Sequence, residues 1–328
     1  MKCAQSKRTL YAAVICVAAL AAGCTFQMPL LRLRYDKLHE ETVESSERWI
    51  ELNKIALINV DGFIGEGGLL SPNNTTVADV KEKLKRARED SLVRGVLLRI
   101  DSPGGDVTAC DIIYNEVRAF SEETHKPIVA YLMSVAASGG YYVAISADRI
   151  VANPTTVTGS VGVIMEFTNA QKLWDIIGLQ TVPVKSGEKK DMGSPFRPIS
   201  PEEMAIFQKM DDEMFRGFLA KVQARRKLNE DSVRTISDGR VMMGPEAVSL
   251  GLVDQLGEMK AAIDEVKRLA GIGHADVVAY RAYPSYNSNV YASFESREQA
   301  RPKALEDVVK ALAETTNPRF LYLWAPGR

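Results

Sequence analysis

The chain has 328 residues, 46% of them hydrophobic and 25% charged, which is an ordinary globular composition with room for one large domain or two modest ones. Its 41 Lys and Arg against 42 Asp and Glu leave a formal net charge of −1, and nothing in that balance marks a nucleic-acid binder. The short basic runs at residues 81–88 and 225–227 lie in helix-like segments with acidic neighbours and read as solvated faces.

At the amino terminus, Lys2, Lys7 and Arg8 precede an apolar run, residues 9–22, too short for a comfortable membrane span. The run ends in Leu20-Ala21-Ala22-Gly23-Cys24, which resembles the lipobox of bacterial lipoproteins, where cleavage precedes the cysteine and its sulfur is acylated. The expectation is a signal peptide over residues 1–23, a lipidated Cys24, and a tether and lead-in over residues 24–53. The positive end stays inside, so the body is exported and held at a membrane surface in the bacterial cell envelope. The competing reading is an uncleaved signal anchor with an incidental cysteine. Cys3 and Cys16 leave with the signal and Cys24 is acylated, so Cys110 alone remains and the body has no internal disulfide. Cys110 reads as a packed, inert thiol because no histidine accompanies it. No spacing of His, Cys or carboxylates suggests a metal site, there is no Walker A loop, and no cofactor is expected.

Residues 54–60 (KIALINV) read as a strand closed by Asp61-Gly62, and residues 65–76 as a loop rich in Gly, Asn and Pro. Residues 77–91 have helical spacing. Residues 95–100 form a compact apolar strand stopped by Asp101-Ser102-Pro103-Gly104-Gly105. A helix over 106–122 and a strand over 127–133 follow, then Ser138 and a helix over 140–147. Short strands are expected at 149–152 and 160–165, a helix at 171–177, a strand at 181–185 and a polar loop at 186–197. A long helix over 201–228 and shorter ones near 232–236, 245–250 and 258–269 close the body, and the alternation argues for parallel βα units. Residues 283–301 lack a clear period and read as loop. The apolar, aromatic end, residues 320–324, is expected to dock on its own chain or a neighbour's.

Ser138 sits where a strand enters a helix, with amides unpaired at the helix start and two glycines that let a substrate backbone approach. Such donors suit a tetrahedral oxyanion. A capping serine in a plain turn is the competing reading. The second element, Pro103-Gly104-Gly105, ends the preceding strand, so on one sheet edge its glycines can approach Ser138 and offer a second amide. A serine needs a base. None of the three histidines, His39, His125 and His274, lies in a catalytic motif, which leaves lysine. Holding a lysine neutral near pH 7, against its ordinary pKa of about 10.4, costs about 4–5 kcal/mol, which burial away from carboxylates can supply. Lys185, Lys189 and Lys190 are candidates that periodicity does not separate, and Ser160 in Thr158-Gly159-Ser160-Val161-Gly162 is available to orient an amine.

The ordered series Asp101-Ser102-Pro103-Gly104-Gly105, Ala137-Ser138-Gly139-Gly140-Tyr141-Tyr142, Thr158-Gly159-Ser160-Val161-Gly162, Ser186-Gly187 with Lys190-Asp191, and Asp238-Gly239-Arg240 followed by Gly251-Leu252-Val253-Asp254 resembles the signal peptide peptidase A family of serine proteases over about residues 54–270. The resemblance implies a Ser–Lys dyad with Ser138 as nucleophile and Lys190 as base, Ser160 binding the lysine amine, and oxyanion donors at Gly139 and Gly105, the latter ahead of Gly104. The 52-residue separation of Ser138 and Lys190 suits short members that draw both from one subunit. It further implies an α/β Clp protease/crotonase-like superhelix of ββα units, with a protease domain over residues 54–275 and a C-terminal tail over 276–328. A ring-shaped homo-oligomer is implied, with signal peptides or other apolar peptides as substrates. Many members keep a transmembrane helix where this chain has its lipobox-like end. Two rival readings are a crotonase-like acyl-group enzyme and an inactive peptide-binding membrane scaffold.

Overall fold

A computed structural model describes residues 38–46, 48, 50–65, 75–281 and 320–324. The expected signal segment, Cys24 and the loop-like residues 283–301 lie outside the described residues.

Strands β1 (His39–Glu44), β2 (Lys54–Ile64), β3 (Val93–Asp106), β4 (Ile128–Ala137), β5 (Arg149–Ala152), β9 (Gln255–Leu256) and β10 (Asp276–Arg281) form the main path of one sheet, in the order β1-β10-β2-β3-β4-β5-β9. Every pairing along it is parallel except β1 with β10. Side chains alternate along β2: Ile55 and Leu57 face helix α8 (Met259–Ala270), while Ala56, Ile58 and Val60 join the core under α1 (Val77–Glu89) and α2 (Val107–Thr124). A sheet covered on both faces needs apolar residues at every position, as the runs KIALINV and GVLLRI supply.

The long strands then fork. β3 pairs with β4 through Val96–Ile100 and, beyond Ser102, with β11 (Phe320–Leu323). β4 pairs with β5 near its start and with β6 (Val157–Gly159) through Val135, Ala136 and Ala137. β6 continues to β8 (Val241–Met243), and β11 to β7 (Ile164–Met165). These extra pairings, with α3 (Gly139–Ala144) following directly on β4, complete the α/β class expected from the alternating pattern.

Four local expectations change. The Asp101–Gly105 sequence does not stop its strand; β3 runs through to Asp106 because β2 and β11 pair with it there. Residues 181–185 form no strand, since no strand among the described residues pairs with them, and Val182 and Val184 are 80% and 100% exposed. Of the strand expected at 160–165 only Ile164 and Met165 pair, as β7; residues 160–163 are irregular, and β6 ends before them at Gly159. His39–Glu44 and Asp276–Arg281, read as lead-in and tail, are paired strands.

Helix α4 (Gln171–Ile176), a single 3-10 turn (Glu188–Asp191) and helices α5 (Pro201–Arg225), α6 (Glu230–Ile236) and α7 (Gly244–Ser249) complete the described elements. α5 opens on a capping box, with Ser200 Oγ accepting from the Glu203 amide and Glu203 accepting from the Ser200 amide.

Candidate active site

β4 enters α3 through Ser138, whose backbone is held at φ 52°, ψ −114°. Residues with a side chain rarely occupy positive φ, and holding one there costs about 1–3 kcal/mol. Two hydrogen bonds fix it: the Ser138 amide donates to the Gly159 carbonyl at 2.8 Å, and its carbonyl accepts from the Tyr142 amide at 2.8 Å. The Ser138 hydroxyl makes no capping bond to α3, so the capping reading fails, and the residue is 1% exposed.

Backbone from three elements, α3, β3 and β11, converges at Gly139, the residue after Ser138. A Cβ on Gly139 would lie 3.0 Å from both the Gly105 nitrogen and the Gly104 Cα. Gly104 has φ 108°, and a Cβ there would fall 1.8 Å from the Tyr322 carbonyl oxygen and 2.7 Å from the Gly139 nitrogen. The Gly104 amide donates to Ser102 Oγ at 3.1 Å, and that hydroxyl donates to the Gly62 carbonyl at 2.6 Å. The Gly104 N–H is therefore engaged within its own strand. Cys110 Sγ lies beneath, 2.6 Å from where a Gly139 Cβ would be. Burial pushes the Cys110 thiol up, so it stays protonated and inert, as expected.

The edge of β3 is occupied by the chain's own β11. Leu321, Tyr322 and Leu323 pair antiparallel with Asp106, Gly105 and Gly104, and the Trp324 amide donates to the Pro103 carbonyl at 2.8 Å. On its other side β11 pairs with Ile164 and Met165. The Tyr322 ring stacks on Tyr142 (4.9 Å between centroids, 24° between planes) and tilts against Phe218 of α5 at 4.7 Å; its hydroxyl donates to the Met214 carbonyl at 3.3 Å. Tyr142 is itself locked, its hydroxyl donating to Asp111 Oδ1 at 2.5 Å while Lys221 Nζ bonds the same oxygen. Burial works against ionisation of Asp111, and the bonds from Lys221 and Tyr142 outweigh it, leaving its pKa below the ordinary value. Burial and Asp111 together push the Tyr142 hydroxyl far up, so it serves as a donor.

Ser160 follows β6 at φ 52° and donates its amide to the Arg240 carbonyl at 2.7 Å. The structure thus brings Ser138, Gly139, Gly104, Gly105 and Ser160 together at the forked strand ends. Lys190 is exposed on the 3-10 turn Glu188–Asp191, and its amine makes no hydrogen bond to Ser138 or Ser160 among the described residues. Of the three candidate lysines, Lys185 pairs with Asp191 at 2.6 Å and Lys189 with Glu202, while Lys190 has no ion pair among the described residues. The arm between β7 and α5 also exposes Ile176 (81%) and Val182.

Sequence reasoning did not single out Tyr142, Phe218 or Tyr322 as one groove. The aromatic character of Tyr141-Tyr142 and of residues 320–324 is a signal, but their meeting is not. Arg197, which bridges Asp191 and Glu203, carried no signal at all.

A family model described as Peptidase family S49 matches residues 121–273. The chain is 31% identical to the putative signal peptide peptidase SppA of Enterococcus faecium over 294 residues, 87% of this chain and 85% of that one. The chain belongs to peptidase family S49. It is 37% identical to a putative protease of Synechocystis over 67% of this chain and 75% of that one. It is 35% identical to the chloroplastic serine protease SPPA of Arabidopsis thaliana, of which the match spans only 33%. Among solved structures, a membrane-bound stomatin-specific protease is similar at a TM-score of 0.42 and 14% identity, covering 72% of this chain and all of that one. As an S49 chain it is a serine peptidase. Among the described residues no helix is long and apolar enough to cross a membrane.

Proposed function

We propose that this chain is an exported, membrane-tethered endopeptidase that cleaves residual signal peptides or other extended apolar peptides with a Ser138–Lys190 dyad. The observation that carries the reading is Ser138 itself: buried, strained, free of capping duty, and flanked by the glycine backbone of β3 and α3. Strain at such a position is retained where the surroundings over-determine it and function uses it.

In this reading the substrate adds a strand between β3 and β7, where β11 now lies, and its backbone runs past Gly104 and Gly105 as Tyr322 does. The aromatic walls Tyr142 and Phe218 accept a large apolar side chain. The Ser138 oxygen attacks the peptide carbonyl while its proton passes to the neutral Lys190 amine. The oxyanion is held by the amides of Gly139 and Gly105; the engaged amide of Gly104 supports that choice. Lys190 then gives the proton to the departing amine, and water hydrolyses the acyl-enzyme. Ser160, fixed beside Gly159, orients the amine.

Lys190 is the one candidate lysine without a carboxylate partner among the described residues, which suits a base that must lose its proton. Desolvation is supplied by assembly: the exposed apolar arm carrying it packs against further copies in a ring. Lipidation of Cys24 tethers that ring at the membrane. The test is cleavage of an apolar peptide by wild type, Ser138→Ala and Lys190→Ala. Loss of at least 100-fold in both variants is the expected result, and equal rates in all three remove the dyad.

A further inference from the structure

The turn that carries Lys190 is clamped by a single arginine. Arg197 lies between two carboxylates. Its Nε and Nη2 donate to Asp191 at 3.2 and 2.9 Å, and its Nη1 and Nη2 donate to Glu203 at 2.9 and 2.5 Å. Nη2 also reaches the Asp191 carbonyl at 3.0 Å. Glu203 is buried at the first turn of α5 and is held there by the capping box. The planar guanidinium fork therefore welds the 3-10 turn to the helix whose later turns wall the groove with Met214 and Phe218.

Asp191 is the residue next to Lys190 and the nearest acid along the chain. A free carboxylate there would pair with the amine and favour its charged form. Both its oxygens are taken, by Arg197 and by Lys185. The remaining charged groups around the turn are Glu188 and Lys189 on it and Glu202 on α5, and Glu202 is taken by Lys189. The Arg197 bonds hold the Asp191 carboxyl far below the ordinary carboxylate range, so it is ionised at any working pH and its charge must be absorbed.

We propose that Arg197 is a positioning residue for the Lys190 base: it fixes the turn to α5 and, with Lys185, occupies the Asp191 carboxylate so that this adjacent acid does not serve as the amine's counter-ion. This rests on Lys190 acting as the base.

The test is the pH dependence of kcat/KM on an apolar peptide for the full chain, its Arg197→Gln and Arg197→Lys variants, and the double variant Arg197→Gln/Asp191→Asn. Loss of Arg197 is expected to move the acidic limb up by about one pH unit, roughly tenfold in rate along that limb. Removing the Asp191 charge as well returns the limb to its wild-type position, and Arg197→Lys lies between. A second readout needs no turnover: acylation of Lys190 by an amine-reactive ester across the same pH range, followed by peptide mass spectrometry, shifts in the same direction. Should Arg197→Gln not fold, Arg197→Lys decides, because a lysine cannot fork to two carboxylates. A limb and a labelling profile that stay put, or that the double variant fails to restore, overturn the role of Arg197. Wild-type turnover in Lys190→Ala overturns the dyad instead.

Discussion

Ser138 and Ser160 leave neighbouring strands at the same positive φ of 52°, one residue beyond the paired positions Ala137 and Gly159. The Ser138 amide closes on the Gly159 carbonyl, so the two turns are stacked by the register of β4 on β6. That register, rather than either turn alone, sets the two serines side by side at the ends of their strands.

The strain at Ser138 is measurable. Glycine accepts positive φ without penalty, whereas alanine does not. Ser138→Gly is expected to be more stable than Ser138→Ala by about 1 kcal/mol, with both inactive. Denaturant unfolding of the two variants checks it, and an alanine variant as stable as the glycine one would show the backbone to be relaxed.

The glycine edge tolerates no side chain. A Cβ on Gly105 would fall 2.0 Å from the Ile64 carbonyl oxygen, backbone that cannot swing aside. Gly105→Ala is expected to lose about 100-fold or more in kcat through displacement of an oxyanion donor, and about 1–3 kcal/mol of stability through overpacking. Gly162→Ala is the control, since its Cβ would meet only the Gly239 Cα at 3.7 Å. Steady-state rates and melts on both variants make the comparison.

The groove reading of β11 has its own consequence. A strand that fills the substrate path competes with substrate from within the chain. Deleting residues 320–328 is expected to lower KM several-fold with kcat unchanged, and a free peptide of sequence FLYLW is expected to inhibit the truncated chain competitively. Unchanged KM after truncation would make β11 an ordinary sheet strand.

Asp254 gives a stability prediction with pH. It accepts from the Ile150 amide at 2.7 Å, Arg226 at 2.9 Å and Arg149 at 3.0 Å, tying the start of β5 to the segment after α5. Burial opposes its ionisation, and the Arg226 pair with the other bonds outweighs that, so its folded pKa is depressed. A depressed carboxylate stabilises fully above its unfolded pKa of about 3.9 and loses that contribution as pH falls through the lower folded value. Asp254→Asn is expected to cost about 3 kcal/mol at pH 7, with the gap to wild type closing below about pH 4. Urea unfolding at several pH values follows it.

Much was legible along the chain. The apolar runs of β2, β3 and β4, the helix between each pair, and Ser138 at a strand-to-helix junction follow from local pattern, because burial on two faces and turn chemistry are written residue by residue. Two of the misreadings share one cause. Asp101-Ser102-Pro103-Gly104-Gly105 has turn composition yet stays extended, and residues 181–185 have strand composition yet stay unpaired. In both, the presence or absence of a hydrogen-bonding neighbour decided the outcome, and a neighbour is not a property of the segment.

The α/β class, and the residue types and order of the candidate site, follow from the linear pattern alone, since these depend on hydrophobic periodicity and on which side chains can act as nucleophile, donor and base. Three-dimensional packing alone places residues 320–324 against Gly104 and Gly105, spends the Gly104 amide on Ser102, and sets Arg197 on the carboxylate beside Lys190. Each of these joins segments distant in sequence or chooses among equivalent local partners, and such choices are made by packing geometry, which no window of residues contains.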